Sequence, residues 1–106
     1  WFVFPQLAGL GLSPTAQHFA ITDLGEAKLY LSHEVLGPRL LQASSLVAKI
    51  EGRKVGEIFG YPDDLKLHSS MTLFAEADPQ SAVFGSVLKK YFGGRPDERT
   101  LDLLGD

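Results

Sequence analysis

Apolar residues recur at steps of three and four along most of this chain, and that spacing predicts amphipathic helices. A capping-box pattern from Asp23 to Glu26 starts one helix, which should end near His33. Gly37-Pro38 starts the helix that we expect to be the longest, with Gly52 as its C-terminal stop. The apolar faces of these two helices are Leu24, Ala27, Tyr30 and Leu31, and then Leu40, Leu41, Ser44, Val47 and Ala48.

Further start and stop signals divide the rest of the chain. They predict a short helix from Ser13-Pro14 to about Ile21 and a helical turn from Val55 to Phe59. A further helix should start after Tyr61-Pro62. The next should follow the cap-plus-proline pair Asp78-Pro79 and end at Gly93-Gly94, and a last helix should run from about Asp97 to Leu104. Their apolar stripes are Leu67, Met71 and Phe74, then Val83, Phe84, Val87, Leu88 and Tyr91, then Leu101 and Leu104.

Strand character is limited to the opening WFVF, and one short piece cannot form a sheet. The predicted fold class is therefore all-α: a compact single-domain bundle of about five to seven short helices over residues 1–106. The chain opens at Trp1 and its one methionine is Met71, so we expect that N-terminal sequence of the domain is missing.

Composition narrows the class of protein. Hydrophobic residues make up 44% and charged residues 22%, which is typical of globular domains. The net charge of -3 argues against nucleic-acid binding through a basic surface. The chain has no cysteine and no apolar run of membrane-spanning length, so we expect a cytoplasmic protein without a thiolate metal site. No cofactor or metal motif is present.

Polar side chains with chemical potential are concentrated between Ile58 and Phe74. Such a mixture of polar and apolar residues indicates either a helix with one wet face or the wall of a polar pocket. Asp63 and Asp64 are adjacent, and adjacent helix residues diverge by about 100°. They are either helix-start carboxylates favoured by the dipole or an acid/base pair or metal clamp. Asp63, Lys66 and Ser70 share one face, whereas Ser69 and Thr72 lie on an adjoining one.

Ser70 borders the apolar stripe, so we expect it to be half-buried and either bonded to a preceding helical carbonyl or facing a pocket. None of the three histidines forms a spaced metal pair. His33 suits helix capping, and His68 could face outward. A triad of Ser70, His33 and Asp63 has no supporting sequence motif. Arg39 lies near a helix start, where it could bind an anion or pair with an aspartate.

Five segments then carry a resemblance to a known family: WFVFPQLAGLGLS, the FAI at residues 19–21, EAKLYLSHEVLGPRL, IFGYPDDLKLHSSMTLF and FGSVLKKYFGGRPDERTLDLLG. In this order they resemble the bacterial domain of unknown function 1810 family over essentially the whole chain. The resemblance implies a compact, mainly helical, cytosolic domain without an established activity. Some members carry the label calpastatin, but calpastatin segments are disordered and this composition is globular.

The chain departs from the family pattern at several points. Members usually carry a further N-terminal helix and a Ser-His-Trp-Met lead before the motif at Trp1. Glu34 stands where proline is common, and His68 stands where arginine is common. The second change weakens any role of an arginine at that position in binding phosphate.

The sequence favours a domain that binds a small molecule, nucleotide-like or related to ADP-ribose, because polar residues of the resembling segments accompany an aromatic stretch suited to stacking. The ligand-binding candidates are Trp1, Gln6, His33, Arg39, Asp63, Asp64, Lys66, Ser69, Ser70 and Thr72. No catalytic residue is identified. The alternative is a non-catalytic structural or protein-interaction module whose polar residues join the helices to each other.

Overall fold

Five helices form the part of the chain that the structure describes. The computed structural model describes Phe4, Pro5, Ile21, residues 23–50, Gly52, Lys54 and residues 63–105, with Asp63 by its backbone only. The helices are α1 (Leu24–Ser32), α2 (Leu36–Lys49), α3 (Asp63–Ala77), α4 (Ala82–Phe92) and α5 (Glu98–Leu104). No β-strand runs through these residues, which confirms the all-α class. The helical pieces predicted at residues 13–20 and 55–59 lie outside the described residues.

Helices α1 and α2 meet at a tight corner. The Oδ1 atom of Asp23 accepts a hydrogen bond from the Glu26 N–H at 2.8 Å, which confirms the predicted start of α1. Gly37 lies in the first turn of α2 and is buried. A Cβ atom at this position would stand 2.1 Å from the carbonyl oxygen of Leu31. Only glycine therefore allows α2 to begin so close to the end of α1.

One predicted length and two predicted boundaries differ from the structure. Among the described helices the longest is α3 with 15 residues, one more than α2. The pair Asp78-Pro79 does not start α4, because the Asp78 N–H still donates to the Phe74 carbonyl at the end of α3. The chain turns first, and α4 begins after Ser81. Helix α2 ends at Lys49, ahead of the predicted stop Gly52, which has a φ of +70°.

Residues of α4 close the C-terminal end of α2. The Nζ atom of Lys90 donates to the Ala48 carbonyl at 2.7 Å, and the Tyr91 hydroxyl donates to the Val47 carbonyl at 2.7 Å. These carbonyls belong to the last turn of a helix, where the regular backbone bonds run out. The Val47 carbonyl also accepts from the N–H of the C-cap Ile50 at 3.3 Å, so local and tertiary contacts together close the end of α2. Helix α4 itself ends at Gly93-Gly94 as predicted, with both glycines at positive φ.

Four of the helices pack in a ring. Each of α1 and α4 packs against both α2 and α3, so α2 and α3 are diagonal members of the ring. Helix α5 packs on the outside of α3. The core of the described residues is formed by Phe4, Ile21, Ala27, Leu40, Val47, Leu67, Met71, Leu73, Phe74, Ala77, Phe84, Val87 and Leu88. Leu41, which the sequence pattern assigned to the apolar face of α2, is 36% exposed.

Helix α3 is the central helix of the described residues. The predicted stripe of Leu67, Met71 and Phe74 is fully buried. Burial continues through every residue from Ser69 to Phe74, because α1, α4 and α5 cover α3 from several sides. Of the two alternatives for residues 58–74, a wet helix face therefore does not extend over residues 69–74, whereas Asp64, Leu65, Lys66 and His68 keep part of their surface exposed.

The last helix follows the predicted range, with Asp97 as its N-cap. Its predicted core residues, Leu101 and Leu104, are only half-buried. Thr100 takes the buried position instead. It is bonded to the capping carboxylate, because Oδ2 of Asp97 accepts from the Thr100 N–H at 3.1 Å and from the Thr100 hydroxyl at 2.6 Å.

Candidate functional site

Three neighbouring hydroxyls lie buried on the central helix α3. The Ser69 hydroxyl donates to the Lys66 carbonyl at 3.1 Å, and the Thr72 hydroxyl donates to the His68 carbonyl at 2.8 Å. Both bonds are of the local kind that serine and threonine form inside helices. Thr72 also accepts a hydrogen bond from the Asp97 N–H at 2.8 Å. Two of the three hydroxyls are thus satisfied by the protein backbone.

Ser70 is the exception. Its side chain is fully buried, and its Oγ atom makes no hydrogen bond within the described residues. The expectation of a half-buried serine that bonds to the preceding turn is therefore wrong. One physical reason is competition, since the Ser69 hydroxyl already occupies the Lys66 carbonyl one turn before Ser70. Ser44 on α2 is a second fully buried hydroxyl without a hydrogen-bond partner in the described part of the chain.

The acidic start of α3 is confirmed in part. The helix begins at Asp63, so both aspartates lie in its first turn. The side chain of Asp63 lies outside the described residues. Oδ1 of Asp64 accepts from the Leu65 N–H at 2.9 Å, and the Asp64 side chain is half-buried. Lys66, which is also half-buried, lies one helical turn before Ser70.

His33 caps helices at the corner of α1 and α2, as predicted, and its ring does so as a hydrogen-bond acceptor. Its backbone N–H donates to the Tyr30 carbonyl at the end of α1. Its Nδ1 atom accepts from the N–H groups of Val35 and Leu36, at 3.1 and 3.2 Å, at the start of α2. An accepting Nδ1 carries no proton. The ring therefore stabilises the start of α2 in the way that an asparagine or aspartate cap does.

Arg39 is exposed on α2, and its charge acts on a tyrosine that sequence reasoning had placed in the core face of α1. Burial raises the pKa of the Tyr30 phenol above its ordinary value, and the positive charge of Arg39 opposes that rise. The Tyr30 ring contacts Phe74 of α3, with ring centroids 5.5 Å apart. Tyr30 thus contacts the central helix α3 through Phe74, and its phenol also feels the charge of Arg39. The sequence signal was a tyrosine, with its polar hydroxyl, in an apolar stripe.

His68, which the sequence suggested could face outward, is half-buried and contacts the C-terminal part of the described chain. Its ring stacks on Phe92 with centroids 4.0 Å apart and planes within 3°. Its Nε2 atom lies 2.7 Å from the Arg95 carbonyl oxygen, to which it donates. The contacts of His68 are therefore made within the protein.

The candidates fall into two groups. Lys66, Ser69, Ser70 and Thr72 lie together on α3, with Asp63 and Asp64 at its start. His33 and Arg39 belong to the corner of α1 and α2. In the ring, α1 lies between α2 and α3. No hydrogen bond of the described residues joins His33 to Ser70, so a triad receives no support. Trp1 and Gln6 lie outside the described residues.

Two further observations bear on the kind of protein. Within the residues that the structure describes, no group of three or more histidine, aspartate or glutamate side chains could hold a metal ion. None of the helices searched in that part of the chain has the length and apolar character needed to span a bilayer.

The fold is that of an all-helical domain whose buried central helix, α3, carries polar side chains. A family model described as "Protein of unknown function (DUF1810)" matches residues 1–104, and the chain belongs to this family. A solved crystal structure is also similar, that of the conserved hypothetical protein Rv1873 from Mycobacterium tuberculosis. It is 53% identical, with a TM-score of 0.97 over 100% of this chain and 77% of that chain. No curated protein matches the sequence.

Proposed function

We propose that this chain is a small-molecule-binding domain whose ligand, nucleotide-like or related to ADP-ribose, contacts the face of α3 that carries Asp63, Lys66 and Ser70. The observation that carries the proposal is the Ser70 hydroxyl, which is fully buried and unbonded within the described residues. Leaving a buried hydroxyl without a partner costs about 1–3 kcal/mol. A bound ligand that hydrogen-bonds to Ser70 would recover this free energy.

Comparison of the three hydroxyls supports a special role for Ser70. Ser69 and Thr72 occupy the same two turns of α3 and are both satisfied by backbone carbonyls. Alanine would fill nearly the same volume at position 70 without the cost of an unbonded hydroxyl. Departures from local stability rules are concentrated at functional sites. The serine is therefore the residue of α3 most readily explained by a ligand.

The positive charge of Lys66 on this face favours a ligand that bears phosphate. Lys66 precedes Ser70 by one helical turn, so the two side chains project from the same side of α3. An ammonium group and a hydroxyl together suit a phosphate oxygen, as charge-assisted hydrogen bonds are the stronger ones. The aromatic residues that open the sequence, Trp1 and Phe2, would suit stacking of a planar base.

The test is a thermal-shift panel with ATP, NAD and ADP-ribose, applied to the wild type, Ser70→Ala and Ser44→Ala. Ser44→Ala is the matched control, because Ser44 is the other buried, unbonded hydroxyl of the described residues and lies on the diagonal helix. Both variants should match or exceed the melting temperature of the unliganded wild type. The ligand-induced shift should disappear in Ser70→Ala and persist in Ser44→Ala.

Two outcomes would contradict the proposal. If none of the three nucleotides raises the melting temperature of the wild type, a nucleotide-like ligand is excluded. If Ser70→Ala responds to a nucleotide as strongly as Ser44→Ala does, the ligand does not contact Ser70.

A second candidate function is a structural or protein-interaction module, and it is favoured by the contacts of His68, Ser69 and Thr72. Each of these polar side chains bonds to backbone of α3 or to the segment that leads into α5. Replacing both Asp63 and Asp64 with asparagine distinguishes the two functions. Reduced stability with an unchanged ligand response supports the structural function, and a lost ligand response at unchanged stability supports binding.

A further inference from the structure

The segment that ends the described chain is attached to α3 by polar contacts and by partly buried leucines, of which Leu104 packs against the core. We call residues 95–104 the C-terminal strap; it comprises the non-helical residues 95–97 and helix α5. Among the described helices, α3 is the one against which α5 packs extensively. Helices α1 to α4 are instead each held by two neighbours in the ring.

Two side chains of α3, one turn apart, hold the start of the strap. The ring of His68 donates to the Arg95 carbonyl at 2.7 Å, and the Thr72 hydroxyl accepts from the Asp97 N–H at 2.8 Å. These two backbone groups flank Pro96, and in extended backbone they can point to the same side. The pair His68 and Thr72 therefore acts as a latch for the tripeptide of residues 95–97.

The strap contributes little apolar burial beyond this latch. Its one fully buried side chain is that of Thr100, which is polar and bonded to its own cap, Asp97. Leu101 and Leu104 are half-buried, and Leu103 is 48% exposed. By contrast, α4 buries Phe84, Val87 and Leu88. Segments with few buried apolar contacts open locally at a lower free energy than the core.

We infer that the C-terminal strap opens from the four-helix ring as a separate unit and thereby bares the side of α3 that carries His68, Ser69 and Thr72. In the closed state, Thr72 satisfies the Asp97 N–H, and His68 satisfies the Arg95 carbonyl. In the open state, these two side chains offer one acceptor and one donor, one turn apart, to another chain or to solvent. The latch is the element that sets the population of the open state.

Native-state hydrogen exchange followed by NMR tests this inference on the whole chain. The amides of α5 should exchange through an opening that depends weakly on added urea, because little surface is exposed. The amides of α3 and α4 should exchange through a larger opening with a steep urea dependence. If the amides of α5 share the rate and urea dependence of those in α3, the strap does not open separately and the inference is overturned.

Two variants test the latch itself. Thr72→Val keeps the shape of the side chain but removes the acceptor, and His68→Phe keeps a stacking ring but removes the donor. Each should accelerate exchange of the α5 amides by about tenfold, the effect of losing one hydrogen bond, while the α4 amides keep the wild-type rate. Thr72→Ser retains the hydroxyl and is the matched control, which should stay near the wild-type rate. Equal rates in Thr72→Val and Thr72→Ser would overturn the assignment of Thr72, whatever the stability of His68→Phe.

Discussion

Gly37→Ala should destabilise the protein although alanine is the better helix former. Alanine is favoured over glycine inside a helix by up to about 1 kcal/mol. At position 37, however, the added methyl group would lie 2.1 Å from the Leu31 carbonyl oxygen and 2.9 Å from its carbonyl carbon. These are backbone atoms, so relief requires α1 and α2 to move apart. Overpacking of this kind costs about 1–3 kcal/mol and occasionally more, which exceeds the gain in helix propensity.

Gly85→Ala is the matched control for Gly37→Ala. Gly85 lies inside α4, is exposed, and would place its Cβ atom at least 4 Å from any neighbour. Gly85→Ala should therefore raise the free energy of unfolding by up to about 1 kcal/mol. The two variants should differ by about 1–3 kcal/mol in urea denaturation, which is the overpacking term, because both gain the same helix propensity. In thermal melts of a domain of this size, each kcal/mol corresponds to about 4–8 °C. Equal or parallel shifts of the two variants would refute the steric role of Gly37.

Substitutions at three other residues can be tested by chemical denaturation. His33→Ala should lower the free energy of unfolding by about 0.5–2 kcal/mol, because two N–H groups at the start of α2 lose their acceptor. His33→Asn should restore most of that loss. Tyr91→Phe removes the hydroxyl that closes α2 and should cost about 1 kcal/mol. Tyr30→Phe should reduce the loss of stability that the wild type shows above about pH 10.

The sign of the Tyr30 effect follows from burial. Burial raises the pKa of the Tyr30 phenol in the folded state, so the unfolded chain ionises at a lower pH. The stabilising contribution is complete below about pH 10, the pKa of an unperturbed tyrosine. It is lost as the pH rises through the folded-state pKa. The stability difference between the wild type and Tyr30→Phe should thus be constant below about pH 9 and change above it. Parallel curves at all pH values would contradict a buried, neutral phenol.

Further variants serve as controls for the His33 cap and for the Tyr91 bond that closes α2. If His33→Asn is as unstable as His33→Ala, the imidazole acts through packing and not as an acceptor. Lys90→Met, which keeps the length of the side chain, should cost less than Tyr91→Phe, because the Lys90 bond to Ala48 is exposed and that of Tyr91 is part-buried. The reverse order would show that the ammonium group is the main closure of α2.

Much of the fold follows from local sequence patterns. The cap at Asp23, the stripe of Leu67, Met71 and Phe74 and the stop at Gly93-Gly94 all lie where spacing and backbone chemistry indicate them. These features depend on neighbours within four residues, which the sequence displays directly. Periodicity could also identify α3 as a helix with an apolar stripe.

Features that depend on the partner helix were not predicted. Gly37 was interpreted as a helix start, and its close approach to Leu31 depends on the corner geometry. The full burial of Ser70 required knowledge that α1, α4 and α5 surround α3. The acceptor role of the His33 ring could not be separated from a cationic role by sequence alone, since both suit a helix end. For the same reason, the sequence alone does not predict a candidate site whose residues come from different helices.

The closure of α2 by α4 has a consequence for the order of folding. The bonds from Lys90 and Tyr91 to Ala48 and Val47 join residues 42 and 44 positions apart. Loop-closure entropy must be overcome before such contacts can form, whereas the turns of α2 form locally within microseconds. The last turn of α2 therefore frays until α4 has docked. The contacts that end α2 are late contacts, and weakening them should speed unfolding more than it slows folding.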